Sequence, residues 1–213
     1  MPKSHRPIRG GHHGAENDPS LLDGGDTVAR MTDDEILTWL ESDEAGSRPY
    51  RVQRMRFLLD RFGQSGYMLF FGGVVPLHAY EEMRLAYLNG LYICCVVVSQ
   101  IIIEHMLAGL FEMANRTDLQ RAGFQRLTEE ALAEGYISQE EFDGLDQIRR
   151  LRNPYTHSKP MMHKTCFIRR AAETGTHHTE LFKQDAETTL TVVSGLLARY
   201  PFSFPDEESS NGQ

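Results

Sequence analysis

The segment Leu151-Arg152-Asn153-Pro154-Tyr155-Thr156-His157 places a guanidinium, a carboxamide and an imidazole close together in sequence. Cleavage of an RNA phosphodiester calls for these groups. The 2′-hydroxyl must lose a proton to a base, the leaving 5′-oxygen must gain one from an acid, and the crowded phosphorane needs positive charge beside it. An imidazole titrates near neutral pH and serves either proton transfer. A guanidinium stays charged and offers phosphate oxygens a forked set of donors. The scheme needs no cofactor and no metal, and the sequence shows no Asp/Glu cluster of the kind that holds magnesium. A plainer alternative stands beside this reading. Arg152 would cap the last carbonyls of its helix, Asn153-Pro154 would stop that helix, and His157 would sit in a turn.

Several elements must position this segment. Ser138-Gln139-Glu140-Glu141 is a capping box, and Phe142, Leu145, Ile148 and Leu151 follow at helical spacing. That helix leads straight into Arg152. Pro154 predicts that it ends or bends there, because the residue before a proline is pushed out of the α region. A turn would then bring Arg152 and His157 together. Upstream, residues 77–114 read as one long helix with a kink near Asn89-Gly90. Its second half is apolar nearly all round, which marks the central member of a bundle or a face covered by a partner subunit. Glu104 and His105 interrupt it, and an acid buried there would need a partner such as Arg149 or Arg152.

The rest of the chain frames these two helices. Residues 1–30 read as a disordered tail, rich in Gly, His, Asp, Pro and Ser. Thr32-Asp33-Asp34-Glu35 opens a short helix, and Ser47 and Pro49 start a second that stops at Gly63. Residues 67–76 are aromatic, β-branched and bounded by Gly and Pro, and read as a strand or as a buried extended linker. Short helical pieces follow over 119–124 and from Thr128 to Gly135. Residues 158–180 read as an irregular connection, Asp185 to Tyr200 as a last helix, and 206–213 as an acidic tail. The expectation is an all-α chain: a helical extension over 31–76, then a bundle over 77–205.

Composition narrows the class. The chain has 213 residues, 40% of them hydrophobic, and a formal net charge of −8 from 30 acidic and 22 basic side chains. An acidic chain has no general attraction to nucleic acid, so any RNA contact must come from a local basic patch. Three cysteines, two of them adjacent, make no disulfide framework and fit a reducing compartment. The N-terminal stretch has no apolar core of a signal peptide, and the run Leu91–Ile103 reads as too short and too polar to span a bilayer. These features predict a cytoplasmic protein without a membrane partner.

An Arg, a polar residue and a nearby His at the end of a helix, late in a small helical domain, resemble the signature of the HEPN family. The apolar helix carrying Ser99-Gln100-Ile101-Ile102-Ile103-Glu104 is similar to that family's second helix, and the resemblance covers roughly residues 77–200. It implies an antiparallel bundle of four or five helices. It implies a homodimer with two motifs facing each other across a cleft, and a metal-independent endoribonuclease of toxin–antitoxin or phage-defence type. Its partners would be RNA and an antitoxin or regulatory protein. Arg152 would then bind the scissile phosphate, His157 would be the general base or acid, Asn153 would orient Arg152 or the substrate, and Glu104 would support Arg152. Members silenced by nucleotidylation carry a Tyr two residues after the His. Lys159 stands there in this chain.

Overall fold

The computed structural model describes residues 31–63, 71–158, 160, 163 and 166–200, and among them every regular element is a helix. These are α1 (Asp33–Phe62), α2 (Val74–Leu88), α3 (Tyr92–Met113), a 3-10 turn at Thr117–Leu119, α4 (Phe124–Ala133), α5 (Gln139–Thr156), α6 (Phe167–Thr174) and α7 (His178–Arg199). The tails expected at 1–30 and 206–213, and most of the expected strand or linker, lie outside the described residues. Of that last segment, 71–73 form a turn and 74–76 already belong to α2.

The chain divides into two compact units, Met1–Gly46 and Ser47–Gln213. In the first, Thr32 caps the start of α1. Its backbone N–H donates to Glu35 Oε2 at 2.7 Å, and Glu35 N–H donates to Thr32 Oγ1 at 3.3 Å. The two helices expected over 32–63 are one element, with Pro49 inside it.

The second unit is a bundle around α3, which packs against α2, α4, α5 and α7. Cys95, Val96, Ile102, Ile103, Met106, Leu107 and Phe111 are all buried there. The single long helix expected over 77–114 is instead a hairpin. Gly90, at φ 77°, closes α2: Leu91 N–H donates to Ala86 O at 2.8 Å and Gly90 N–H to Tyr87 O at 3.0 Å. The positive φ turns what composition suggested as a kink into a full reversal. Freed of that kink, α3 alone runs 22 residues and is long and apolar enough to cross a membrane, whereas the run read from sequence was not. Over half of its most apolar window is buried inside the chain, as in the core helix of a bundle.

The far end of the hairpin depends on two glycines. A Cβ on Gly109 of α3 would fall 2.9 Å from the Gly72 Cα and 3.0 Å from the Phe71 carbonyl carbon. Backbone cannot retreat as a flexible side chain can, so Gly109→Ala is expected to cost about 1–3 kcal/mol by overpacking. A lowered urea midpoint at unchanged slope would show it.

Two more boundaries differ from the sequence reading. Residues 167–174, expected to be irregular, form α6. Its Phe167 ring meets Phe182 of α7 at 4.8 Å, edge to face. The last helix starts at His178, seven residues before the expected Asp185, with the His177 side chain accepting the Thr179 N–H.

Candidate functional site

The capping box at Ser138 forms as read. Ser138 N–H donates to Glu141 Oε2 at 2.6 Å, and Glu141 N–H donates to Ser138 Oγ at 3.2 Å. Leu145 and Ile148 bury one face of α5 against the bundle. Pro154 neither stops nor turns this helix, which continues to Thr156. Tertiary anchoring explains the difference. The Tyr155 ring packs 4.6 Å from Phe167 and 5.8 Å from Phe182, and its hydroxyl donates to Asp185 Oδ2 at 2.8 Å. Near a helix end proline forfeits one backbone bond, and these contacts outweigh its local preference.

A continuous helix separates the side chains of the motif. Arg152 and Thr156, four residues apart, share a face, and Arg152 Nη1 donates to Thr156 Oγ1 at 3.1 Å. Five residues span about 140° of helical rotation, and His157 has already left the helix, at φ −131° and ψ 124°. Its backbone N–H donates to Asn153 O at 3.0 Å. The His157 imidazole is exposed and has no hydrogen-bond partner among the described residues. The turn expected to join Arg152 to His157 is therefore absent from the single chain.

Arg152 is held from the other side. Its Nε donates to Oε1 of Gln100 on α3, and Gln100 Nε2 donates to Glu104 Oε1 at 2.6 Å. Gln100 is 5% exposed, so its amide is fixed in one orientation: a flipped amide would set an NH₂ group against the guanidinium. Glu104 supports Arg152 only through this amide and makes no direct ion pair with it. Glu104 is half-buried and His105 exposed, so neither is the deeply buried polar group that the apolar pattern suggested. Arg149 and Arg150 both turn to Asp146. Asn153 contributes its carbonyl to the helix end, and the side chains that hold Arg152 are those of Gln100 and Thr156. Among the described residues Arg152 Nη2 has no hydrogen-bond partner.

Behind the motif lies a second polar cluster. Asp185, 3% exposed, accepts from Arg170 Nη1 at 2.8 Å, from Arg170 Nη2 at 2.7 Å and from the Tyr155 hydroxyl. Burial and the neighbouring carboxylate push the Tyr155 hydroxyl well above the ordinary tyrosine range, so it stays a donor. The Asp185 bond to Arg170 holds that guanidinium charged more firmly still.

Sequence reasoning missed Gln100, Asp185 and Arg170. Gln100 left a signal, standing four residues before Glu104 in an otherwise apolar helix, where a polar side chain needs a partner. Among the described residues, no group of three or more His, Cys, Asp or Glu side chains could hold a metal ion. Compared with protein-family models, with curated proteins and with solved structures, the chain matches none.

Proposed function

We propose that the chain is a metal-independent endoribonuclease of the HEPN type, acting as a homodimer in the cytoplasm, in toxin–antitoxin or phage defence. The observation that carries this reading is the setting of Arg152. A buried amide and a hydroxyl fix its guanidinium, its Nη2 has no hydrogen-bond partner among the described residues, and an exposed, unpartnered imidazole follows at the same helix end. Arg152 binds the phosphate and stabilises the phosphorane. His157 takes the 2′-hydroxyl proton, or gives one to the leaving 5′-oxygen. The O2′–P bond forms as the P–O5′ bond breaks, leaving a 2′,3′-cyclic phosphate and a 5′-hydroxyl. A second copy supplies the other proton-transferring imidazole, since one chain presents a single His157. An antitoxin or regulatory protein would act by covering this helix end.

A second reading is a noncatalytic module that binds RNA or a protein. It is favoured by the absence of any hydrogen bond between the Arg152 and His157 side chains. Wild type and His157→Ala, both folded by circular dichroism, are incubated with a mixed RNA pool in EDTA. Cyclic-phosphate ends from the wild type alone are expected. Intact RNA that is nonetheless bound would favour the module, and equal cleavage by both would place the chemistry elsewhere.

A further inference from the structure

The described part of the first unit is an amphipathic helical segment. Every described residue from 31 to 46 is exposed, including Ile36, Leu37, Trp39 and Leu40. A helical stretch of this length is marginal in water without packing. It is also strongly acidic: Asp33, Asp34, Glu35, Glu41, Asp43 and Glu44 fall between Asp33 and Gly46, with no Lys or Arg.

In the second unit, the Ser47–Phe62 part of α1 lies beside α2 and leaves the complementary surface. Leu58 is buried, Phe57 meets Tyr87 at 5.2 Å, and Arg54 Nη1 donates to Leu88 O at 2.7 Å. Outside this contact run two adjoining depressions of about 320 and 290 Å³ that share Met55 and Leu88. Val52, Met55 and Leu85 stay exposed along them. Arg48, Arg51 and Arg84 line them, with Glu81 the one acid. An apolar groove with an arginine rim suits an acidic amphipathic helix.

We propose that the groove takes the Asp33–Gly46 segment of a second copy of this chain, each copy donating its segment to the other. Charge complementarity points to this occupant, since the groove asks for acids flanking leucines and the segment offers Leu37, Leu40 and Glu41. Chain connectivity points to a second copy. One residue separates Gly46 from Arg48 on the groove, fewer than the roughly two to five that join antiparallel helices of one chain, so the reversal that antiparallel docking needs is open to a second copy. Laid antiparallel, Leu40 meets Val52, Leu37 meets Met55 and Glu41 meets Arg51. The exchange is reciprocal, as closed twofold interfaces are. It stands whether or not the chain cuts RNA, because its test reads mass and fluorescence.

Trp39 is the sole tryptophan and lies on the segment. The full chain is expected to sediment at twice its 24.3 kDa mass at micromolar concentration, with Trp39 emission moving to the red on dilution. Leu40→Glu and Leu85→Asp should each give a folded monomer with red-shifted emission. Mixed together they should recover a heterodimer, because one of the two exchanges keeps both native surfaces. Arg51→Glu should weaken the dimer at least tenfold, and adding Glu41→Arg to the same chain should restore it. A wild-type monomer, a dimer indifferent to these four substitutions, or a monomer with Trp39 already blue-shifted would overturn the proposal.

Discussion

Arg152→Ala is expected to slow RNA cleavage by about two to three orders of magnitude at unchanged helicity, the usual scale for losing one donor to a developing oxyanion. Arg152→Lys should recover little of it. In the proposed mechanism the native side chain does two jobs with different nitrogens: Nε is spent on Gln100 and Nη1 on Thr156, while Nη2 would meet the phosphate. An ammonium is a single point of charge and cannot be tied to Gln100 while also reaching outward. Gln100→Leu separates positioning from charge. It leaves the guanidinium in place but free to swing, and strips Glu104 of its donor. A loss of about tenfold is expected, smaller than for Arg152→Ala. Single-turnover kinetics in EDTA would read all three. Full activity in Arg152→Lys, or a Gln100→Leu loss as deep as that of Arg152→Ala, would contradict the division of labour.

What could be read in the sequence was whatever local chemistry determines. Both capping boxes form, because a hydroxyl and a carboxylate three residues apart satisfy each other's backbone without outside help. The apolar periodicity of 91–111 marked α3 as central, and the all-α class followed. The failures share another cause. Local preference puts Pro49 at the start of a second helix and makes Pro154 a stop or bend, yet both lie inside helices. At Pro154 the deciding contacts come from Phe167, Phe182 and Asp185, all outside the segment. Residues 167–174 are flanked by polar stretches, and their helix is held by Arg170 reaching across to α7. The same holds for the candidate site. Arg152, Asn153, His157 and Glu104 could be picked out by residue type. That Gln100 stands between Arg152 and Glu104, and that His157 faces solvent, depends on how α3 and α5 pack.

The buried Asp185 makes a prediction of similar size for stability. Arg170→Ala is expected to destabilise the chain by about 3–5 kcal/mol, and Asp185→Ala by less, about 2–3 kcal/mol. The asymmetry follows from exposure. The Asp185 side chain is 4% exposed and that of Arg170 24%. Deleting the acid leaves a guanidinium that can turn toward water. Deleting the arginine leaves the buried carboxylate with the Tyr155 hydroxyl as its one remaining side-chain donor among the described residues. Replacing both partners with leucine should be milder than Arg170→Ala alone, because no charge is then left behind. Urea unfolding of the four chains tests this ordering. Hydrogen exchange would add the location: α6, with no buried residue of its own, should lose protection first in Arg170→Ala. Because Asp185 also holds Tyr155, loosening should extend to the last turn of α5, and with it to Arg152 and His157. A variant far from the phosphate would then lower cleavage by misplacing the helix end that carries both groups.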